Sequence, residues 1–430
     1  YVPSLVTRDS SFNIYRGVAI LGGYPDSGNP TDQDRNFVIN PTILSGDIGV
    51  LNDSTDNTAN ILRIHCPDTT VLIDGLIIER GNANLVVVNQ PASNYQTTRG
   101  GGIFARSNNL LLINRCTLRN NYGLYGGGLY FEGTAIDINK SEFSNNNAQE
   151  GGGFYSWDVY GQPNTNPNGV PVTIRNSVFS TNRGTAGTIM ENSAFSGATN
   201  YRLENLIVYK NENNLGAGFR FRLQPVVTLI NCIFAKNNNT ASNAGVGIYV
   251  DNTFSSNFLN TKVHNTIFVG NTVMGATPSV TNSDFNWKNA SNQTETIPFG
   301  NFNYSARSAN QTGSGQGLIS NAAVSLIDIN NGPGPDNLWM TVDDGLRPTN
   351  CSNTLDKGSN TYVQNIPLDI LDTVRILNSI VDMGPYELGN SGAATPTAAI
   401  TASDTTICTG TQVTSTLLYP EQILILFING

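Results

Sequence analysis

One spacing pattern recurs along the middle of the chain and constrains its fold more than any other feature. Six large apolar residues each have an aliphatic residue five positions before them and an asparagine three positions after. The apolar residues are Leu118, Phe143, Phe179, Val208, Phe234 and Phe268, and the asparagines are Asn121, Asn146, Asn182, Asn211, Asn237 and Asn271. A more divergent copy centres on Ile78. The intervals vary from 25 to 40 residues while the register holds, which indicates a solenoid of stacked coils.

Each copy contains three short segments with apolar residues at alternate positions. Asparagine or glycine separates them, and the third segment follows a glycine-rich approach such as residues 126–130. A unit of ~25 residues is too short for a strand and a helix together. The repeat therefore predicts a parallel β-helix in which each coil adds one strand to each of three sheets.

Two columns of asparagine accompany the apolar positions. The first consists of Asn114, Asn139, Asn176, Asn205, Asn231 and Asn265, and the second is the set that follows the large apolar residues. Asparagine tolerates the left-handed backbone angles of tight corners, and stacked asparagines can bond one another's amides. We expect corners at both columns and a structural ladder along the second. The strict phase with the apolar positions argues against a disordered, asparagine-rich tract.

Composition restricts the partners of the chain. Charged residues make up 13%, against about 25% in average proteins, and the formal net charge is −9. This balance argues against nucleic acid and anionic lipid as partners. No stretch reaches the ~18 apolar residues of a membrane helix, so we expect a chain that does not span a membrane. Tyr1 is not a start methionine, so we expect a mature or trimmed form.

Five cysteines leave the redox compartment open, because their number is odd. Cys116 and Cys232 each lie two positions before an apolar anchor, several coils apart, so they cannot bridge each other. We expect both to be small buried residues and not metal ligands or nucleophiles. Cys351 and Cys408 could pair.

The repeat pattern divides the chain into five regions. Residues 1–60 show apolar alternation without a clean repeat and predict first coils or an N-terminal cap. Residues 61–290 are the clear solenoid. Residues 291–388 lose the repeat, and we expect C-terminal coils and a cap over the open end. Residues 389–399 are a small-residue linker, and residues 400–430 begin a new β pattern.

Several segments resemble known proteins. Three are similar to the opening of right-handed parallel β-helix surface proteins of the Bacteroidetes: GVAILGGY at 17–24, TILSGDI at 42–48 and LIDGLII at 72–78. The repeats resemble the polymorphic outer-membrane-protein type, with its Gly-Gly-x-aromatic and Asn-x-x-Phe-x-x-Asn elements. DMGPYE at 382–387 is similar to the segment that closes such domains, and DTTICTGT at 404–411 resembles the start of immunoglobulin-like repeats in large adhesion proteins.

This resemblance implies a fold and a location. The fold would be all-β, a right-handed parallel β-helix solenoid followed by an immunoglobulin-like β-sandwich fragment. The protein would be exported by the type 9 secretion machinery and would lie in the extracellular space or on the outer-membrane surface. The resemblance implies little about activity.

The glycine-rich strand offers the candidate binding face. If Arg220 and Arg222 face outward, the strand phase predicts two outward columns. The first is Phe104, Tyr130, Tyr155, Ile189, Arg220 and Tyr249, and the second is Arg106, Glu132, Trp157, Glu191, Arg222 and Asp251. Aromatic faces beside planar polar groups suit sugar rings and are unusual for plain solvent surface.

Long insertions follow this strand in successive coils and carry further aromatic residues, among them Trp157 and Tyr160. Stacked insertions predict a wall, with the strand as the floor of a groove for glycan or peptide. The alternative is that the outward aromatics stack on one another and the insertions shield the sheet.

Catalysis is poorly supported by the residues. Glu132 and Glu191 would lie two rungs apart, about 9.6 Å, near the upper limit for an inverting pair of carboxylates. However, any two acids in one column of a β-helix lie at some multiple of ~4.8 Å. The spacing of Glu132 and Glu191 is therefore weak evidence for a catalytic pair. The repeats lack the motifs of polygalacturonases and pectate lyases, and His264 is expected on the surface. We expect no cofactor. Asp343 and Asp344 could hold calcium, and the alternative is that they form a solvated acidic turn.

Three functions follow from these observations. The first is an adhesin-like, non-catalytic module that binds a glycan or a cell-surface protein. The second is a structural or assembly subunit of a large surface complex. The third is a polysaccharide lyase or hydrolase.

Overall fold

The computed structural model describes residues 1–3, 7–84, 97–157, 171–192, 200–222, 226–241, 246–251, 261–274, 284–288, 301–307 and 315–389. Within these residues the chain is nearly all-β, and its helical segments are short 3₁₀ turns such as Asp32–Asp34, Asn321–Ala323 and Asn360–Tyr362. No helix in this part of the chain has the length and apolar character to cross a membrane. The predicted linker beyond Gly389 and the immunoglobulin-like fragment at 400–430 lie outside the described residues.

Four parallel sheets, named A to D, are visited in that order by successive coils. Sheet A contains Phe12–Ile14, Leu62–Ile64, Ile103–Arg106, Leu129–Glu132, Phe154–Trp157, Ile189–Asn192, Phe219–Arg222, Ile248–Asp251 and Phe285–Lys288. Sheet B contains Ala19–Leu21, Thr70–Asp74, Leu110–Asn114, Ala135–Asn139, Pro171–Arg175, Asn200–Glu204, Val226–Ile230, Thr261–His264 and Phe302–Asn303.

Sheet C contains Thr42–Ser45, Leu76–Glu79, Thr117–Arg119, Glu142–Ser144, Val178–Ser180, Ile207–Tyr209, Ile233–Ala235, Ile267–Val269, Ala306–Arg307 and Ile319–Ser320. Sheet D contains Asn82–Ala83, Tyr122–Tyr125, Asn147–Glu150, Arg183–Ala186, Glu212–Leu215, Asn238–Asn239 and Thr272–Val273. These long parallel sheets are consistent with a β-helix-like solenoid. The sequence predicted three sheets, and the short sheet D is the fourth.

The apolar anchors of the repeat form one continuous column in sheet C. Leu118 pairs in register with Ile78 on one side and with Phe143 on the other. The rings of Phe143 and Phe179 stack with centroids 4.8 Å apart. With the inward residues of sheets A and B, this column forms the main core. Its burial supplies the principal driving force for coil stacking.

A ladder of buried asparagines connects the coils at the corner between sheets C and D. The amide Nδ2 of Asn146 donates to Oδ1 of Asn182 at 3.1 Å and to the carbonyl of Leu118 at 2.8 Å. The backbone N–H of Asn146 donates to the same Oδ1 at 3.0 Å. The same pattern of bonds joins Asn121, Asn146, Asn182, Asn211, Asn237 and Asn271. Every corner amide is thereby satisfied without water.

The residue with left-handed backbone angles at this corner is not the ladder asparagine. It is the residue before it, as at Asn120 (φ 55°), Thr181 (φ 55°) and Lys210 (φ 50°). At the corner between sheets B and C, Arg115 and Lys140 take this conformation in two coils. The left-handed position in those coils is therefore one residue later than the predicted Asn114 and Asn139. Asparagine takes it in the four following coils, at Asn176, Asn205, Asn231 and Asn265.

Small hydroxyl and thiol side chains form a second column beside the B–C corner. The backbone N–H of Cys116 donates to Oγ of Ser141 at 3.2 Å, and that of Ser141 donates to Oγ of Ser177 at 3.1 Å. Cys232 occupies the same column and bonds Thr266 in the next coil. Burial raises the pKa of the Cys116 and Cys232 thiols to about 12, so neither is a nucleophile at neutral pH.

Residues 321–389, named the flank segment, lie along the side of the coils. The ring of Trp339 packs edge-on against Tyr209 of sheet C at 5.3 Å between centroids. Asn265 and Ser359 exchange two hydrogen bonds of 2.8 and 3.2 Å. The segment thus covers the outward face of sheet C from Val178 to Ala306. The sequence predicted C-terminal coils and a cap over the open end for residues 291–388; of this region, the flank segment contacts the side of the coils.

The flank segment closes on a buried polar network. The guanidinium of Arg375 donates to the carbonyls of Asp382, Gly384 and Pro385. The carboxylate of Asp369 accepts the backbone N–H groups of Leu371, Thr373 and Glu387. The segment at 382–387 therefore forms a tight turn around one fully buried arginine.

Candidate functional site

The glycine-rich strands lie in sheet A and have the expected phase. Phe131, Phe154 and Phe219 belong to the main core, whereas Phe104 and Tyr130 belong to a separate cluster on the opposite side of the sheet. Alternate residues therefore point to opposite faces, as strand geometry requires.

The outward aromatic column is buried. Phe104, Tyr130 and Tyr155 are 6%, 0% and 1% exposed. Their rings stack with centroids 5.4 and 5.7 Å apart, and Tyr125 and Leu215 of sheet D pack against them. The expected groove floor is instead a second apolar layer outside the main core, and these rings present no open surface to a ligand.

The charged residues of this layer contact one another. The carboxylate of Glu132, buried to 3% exposure, lies 3.3 Å from Arg106. The hydroxyl of Tyr130 donates to Glu132 at 3.1 Å and accepts from Arg99 at 3.2 Å. Ion pairing and hydrogen bonding thus satisfy Glu132 inside the layer, which is the arrangement that buried charges require.

In the later coils, the charged and aromatic residues of this layer also contact one another. The guanidinium of Arg220 lies over the ring of Tyr249 at 5.6 Å, and both residues are buried. Trp157 and Arg222 are half-buried at the margin, and the Trp157 ring stacks 6.3 Å from that of Tyr155. Tyr160 lies outside the described residues, as do the side chains of Glu191 and Asp251.

One coil changes the register of the predicted columns. Tyr155 pairs with Met190, and Trp157 pairs with Asn192, so Ile189 and Glu191 do not belong to these columns. The reason is a missing residue: Gly187 and Ile189 are separated by one position, whereas Gly151 and Phe154 are separated by two. Glu191 pairs with Ser156 and Phe221, so it lies two rungs from Glu132, as predicted, but in the adjacent column and not in the same one.

An open groove lies on the neighbouring sheet D. Its volume is about 350 Å³, and its walls come from successive coils. The lining residues are Tyr122, Asn147, Ala148, Gln149, Arg183, Gly184, Thr185, Glu212, Asn214 and Thr240. The predicted binding face on sheet A is covered, whereas this polar face of sheet D, which the sequence analysis did not propose, is accessible.

Sequence reasoning missed this groove, although a signal was present. Four successive sheet D strands place polar residues one and three positions after a ladder asparagine, as with Asn147 and Gln149, or Glu212 and Asn214. The intervening residues are small or buried, such as Ala148 and Asn213. This alternation is that of a half-exposed strand, but the repeat was read as having three strands and not four.

The acidic pair at 343–344 has structural contacts. Asp343 accepts a hydrogen bond from Thr341, and the buried Asp344 accepts from the backbone of Met340 at 3.0 Å and from the hydroxyl of Tyr386 at 2.7 Å. Burial raises the pKa of the Asp344 carboxyl to about 7. Across the part of the chain that the structure describes, no three histidine, cysteine or acidic side chains converge on a common point that could hold a metal ion.

Comparison with protein-family models and with curated proteins gives no match for this chain.

Proposed function

We propose that the chain is a non-catalytic, adhesin-like binding module built on a right-handed parallel β-helix. The single observation that carries this proposal is the open polar groove on sheet D. A rigid stack of coils with an accessible polar face suits the recognition of an extended ligand. The binding face moves accordingly from the glycine-rich strands to the adjacent sheet.

The chemistry of the described acidic and nucleophilic groups favours binding over catalysis. Glu132 is held in an ion pair with Arg106 inside an apolar layer. The thiols of Cys116 and Cys232 are buried in the coil corners. His264, expected on the surface, is buried against Tyr362. The lyase or hydrolase alternative therefore gains no support from a positioned acid, base or nucleophile among these groups.

A role in assembly is favoured by one specific feature. Five apolar side chains of the flank segment are exposed between residues 368 and 380: Leu368, Val374, Ile376, Leu377 and Ile380. Such a cluster is typical of a surface that contacts another protein. The structural subunit is thus the second candidate function.

Location and export remain part of the proposal through the sequence resemblance. The segments at 17–24 and 382–387 resemble secreted β-helix proteins of the Bacteroidetes. We place the protein on the outer-membrane surface or outside the cell, as cargo of the type 9 secretion machinery, with an immunoglobulin-like module beginning near residue 400.

Native affinity electrophoresis tests the proposed function. The purified chain migrates through gels cast with single polysaccharides, beside a non-binding reference protein. Retardation without clearing of the polysaccharide is the expected result. Clearing would indicate an enzyme. Free migration in every gel, together with self-association in analytical ultracentrifugation, would favour the assembly subunit.

A further inference from the structure

We infer that the sheet D groove binds a neutral, extended oligosaccharide whose chain runs along the coil axis. This inference rests on the proposed binding function. It adds the class of the ligand, the direction of the ligand chain in the groove and the residues that bind it. The argument depends on four side chains: Tyr122, Asn147, Arg183 and Glu212.

These side chains occupy one register column. Tyr122 pairs with Asn147, Asn147 with Arg183, and Arg183 with Glu212 in successive parallel strands. Asn147, Arg183 and Glu212 are exposed, and Tyr122 is half-buried. One planar polar or aromatic group is therefore presented at each rung of the groove.

The hydrogen-bonding capacity of this column is unused. Within the described chain, no side-chain hydrogen bond or ion pair is made by Arg183 or Glu212, although they are neighbours across the sheet. The same holds for the amide of Asn147 and for the next column's Gln149. A guanidinium, a carboxylate and amides offer paired donors and acceptors, which match the adjacent hydroxyl groups of a sugar ring.

Charge sets the class of sugar. Arg183 and Glu212 contribute opposite formal charges on adjacent rungs, and the other lining residues are uncharged. A polyanionic chain would meet the Glu212 carboxylate without a matching excess of positive charge. The half-buried ring of Tyr122 provides an apolar face at one end, against which the C–H face of a neutral sugar can pack.

The backbone of sheet D excludes peptide binding by strand addition in the groove. The strand Arg183–Ala186 is paired on one side with Asn147–Glu150 and on the other with Glu212–Leu215. Its N–H and C=O groups are used within the sheet, so an incoming peptide cannot join it as a new strand. Recognition in the groove must come from side chains.

The dimensions suit several sugar units. From Tyr122 to Thr240 the lining residues span four rung steps, or roughly 19 Å at ~4.8 Å per rung. A polymer that lies along this axis meets an equivalent polar group at each step. A polymer that lay across the groove, parallel to the strands, would contact only the length of one short strand.

Isothermal titration calorimetry of the full chain with cellohexaose, xylohexaose, mannohexaose and trigalacturonate tests this inference. One neutral hexaose should bind, and Arg183→Ala, Glu212→Gln and Tyr122→Ala should each weaken that binding about tenfold or more. Arg175→Ala is the matched control, because Arg175 belongs to the same coil but to sheet B. It should bind as the unmodified chain does. Far-UV circular dichroism and thermal melting verify that each variant is folded.

Two results overturn the inference and leave the binding function intact: an unchanged affinity in Arg183→Ala and Tyr122→Ala, or binding of trigalacturonate alone. If an alanine variant fails to fold, the affinity of the Glu212→Gln variant is used in its place, because glutamine keeps the shape of the side chain. A chain that binds no saccharide in the titrations or in the affinity gels overturns the proposed glycan-binding function as well.

Discussion

Two neighbouring residues at each C–D corner have separate tasks. Asn120, Asn145 and Thr181 adopt the left-handed conformation, and the following asparagine forms the ladder. A residue other than glycine in the first position carries some strain, and asparagine tolerates the conformation better than threonine or lysine does. The second position demands asparagine, because its side chain must accept and donate at once. This explains why the second position is invariant among the six copies while the first varies.

Asn182→Ala tests the ladder. The change removes the acceptor of the Asn146 amide and the donor to the Phe143 carbonyl. Because both groups are buried, we expect a loss of about 2–4 kcal/mol in the free energy of unfolding. Urea unfolding followed by circular dichroism measures it. The exposed Asn109→Ala should change the value by less than about 0.5 kcal/mol, and an equal loss in both variants would contradict a ladder role.

Thr181→Asn tests the strain in the adjacent position. Thr181 is β-branched and has φ 55°, a conformation that asparagine adopts more readily. We expect stabilisation of about 0.5–1 kcal/mol, measured as a higher urea midpoint with an unchanged slope. Thr173→Asn in an extended strand of sheet B should not stabilise the chain. A gain at Thr173 equal to that at Thr181 would rule out relief of strain.

At the level of elements, the residue type at the outward position of the sheet C strands indicates where the flank segment covers the sheet. The outward position of these strands holds Thr117 and Glu142 in early coils, then Val178, Ile207 and Ile233. The later strands are buried on both faces, which is typical of a strand covered by another layer. The change from alternating to continuous apolar sequence was therefore a readable signal of a covering segment.

The contact between His264 of sheet B and Tyr362 of the flank segment predicts a pH dependence. The rings stack at 3.6 Å, and burial, with Lys262 nearby, lowers the pKa of His264 to about 4. The unfolded chain takes up a proton below pH ~6.5, whereas the folded chain does not. This contribution to stability is present above pH 6.5 and is lost as the pH falls towards 4, by up to about 3 kcal/mol.

His264→Phe keeps the stacked ring and removes the titration. We expect the variant to lose less stability than the unmodified chain between pH 7 and pH 4, measured by thermal melting. Burial raises the pKa of Asp344, Asp382 and Glu387 to about 7, 6 and 7, and these groups favour the folded chain at acidic pH in both proteins. The difference between the two chains isolates His264, and His65→Gln controls for the loss of a histidine. Identical pH profiles would contradict the prediction.

At the level of the whole molecule, stability should be close to additive over coils, because each coil contacts its neighbours. Deleting residues 147–182 removes one complete coil and joins Asn146 to Arg183. The backbone N–H of Arg183 already donates to the carbonyl of Asn146 at 2.9 Å, so the junction is short. Asn146 then takes the place of Asn182 beside Asn211.

We expect the shortened chain to fold cooperatively, with a β-type far-UV spectrum and a urea slope lower by roughly a tenth. Deleting only 147–170 removes the strands of sheets D and A and leaves those of sheets B and C, which breaks the coil order. That control should not fold. Aggregation of the full-coil deletion, or equal behaviour of the two deletions, would contradict additive coils.

Much of the coil could be predicted from the sequence, and the candidate site could not. The anchors such as Leu118 and Phe143 and the ladder asparagines recur within 25–40 residues, so their roles are visible as a repeat. The burial of Tyr130 depends on residues of sheet D that the three-strand repeat did not include. The register of Met190 depends on one missing residue, which a pattern with variable insertions does not reveal.

The sequence by itself determined the all-β class, the pairing register of most coils and the ladder positions. These three properties follow from the spacing of the apolar residues and from the corner residues, because both are set by neighbours within one coil. Only the tertiary structure decided which outward faces are covered. Tyr209 bonds Asn330, 121 positions away, and Lys140 pairs with Asp372 across 232 positions. Such contacts leave no local period, because packing against a distant segment requires apolar or polar character but no particular spacing.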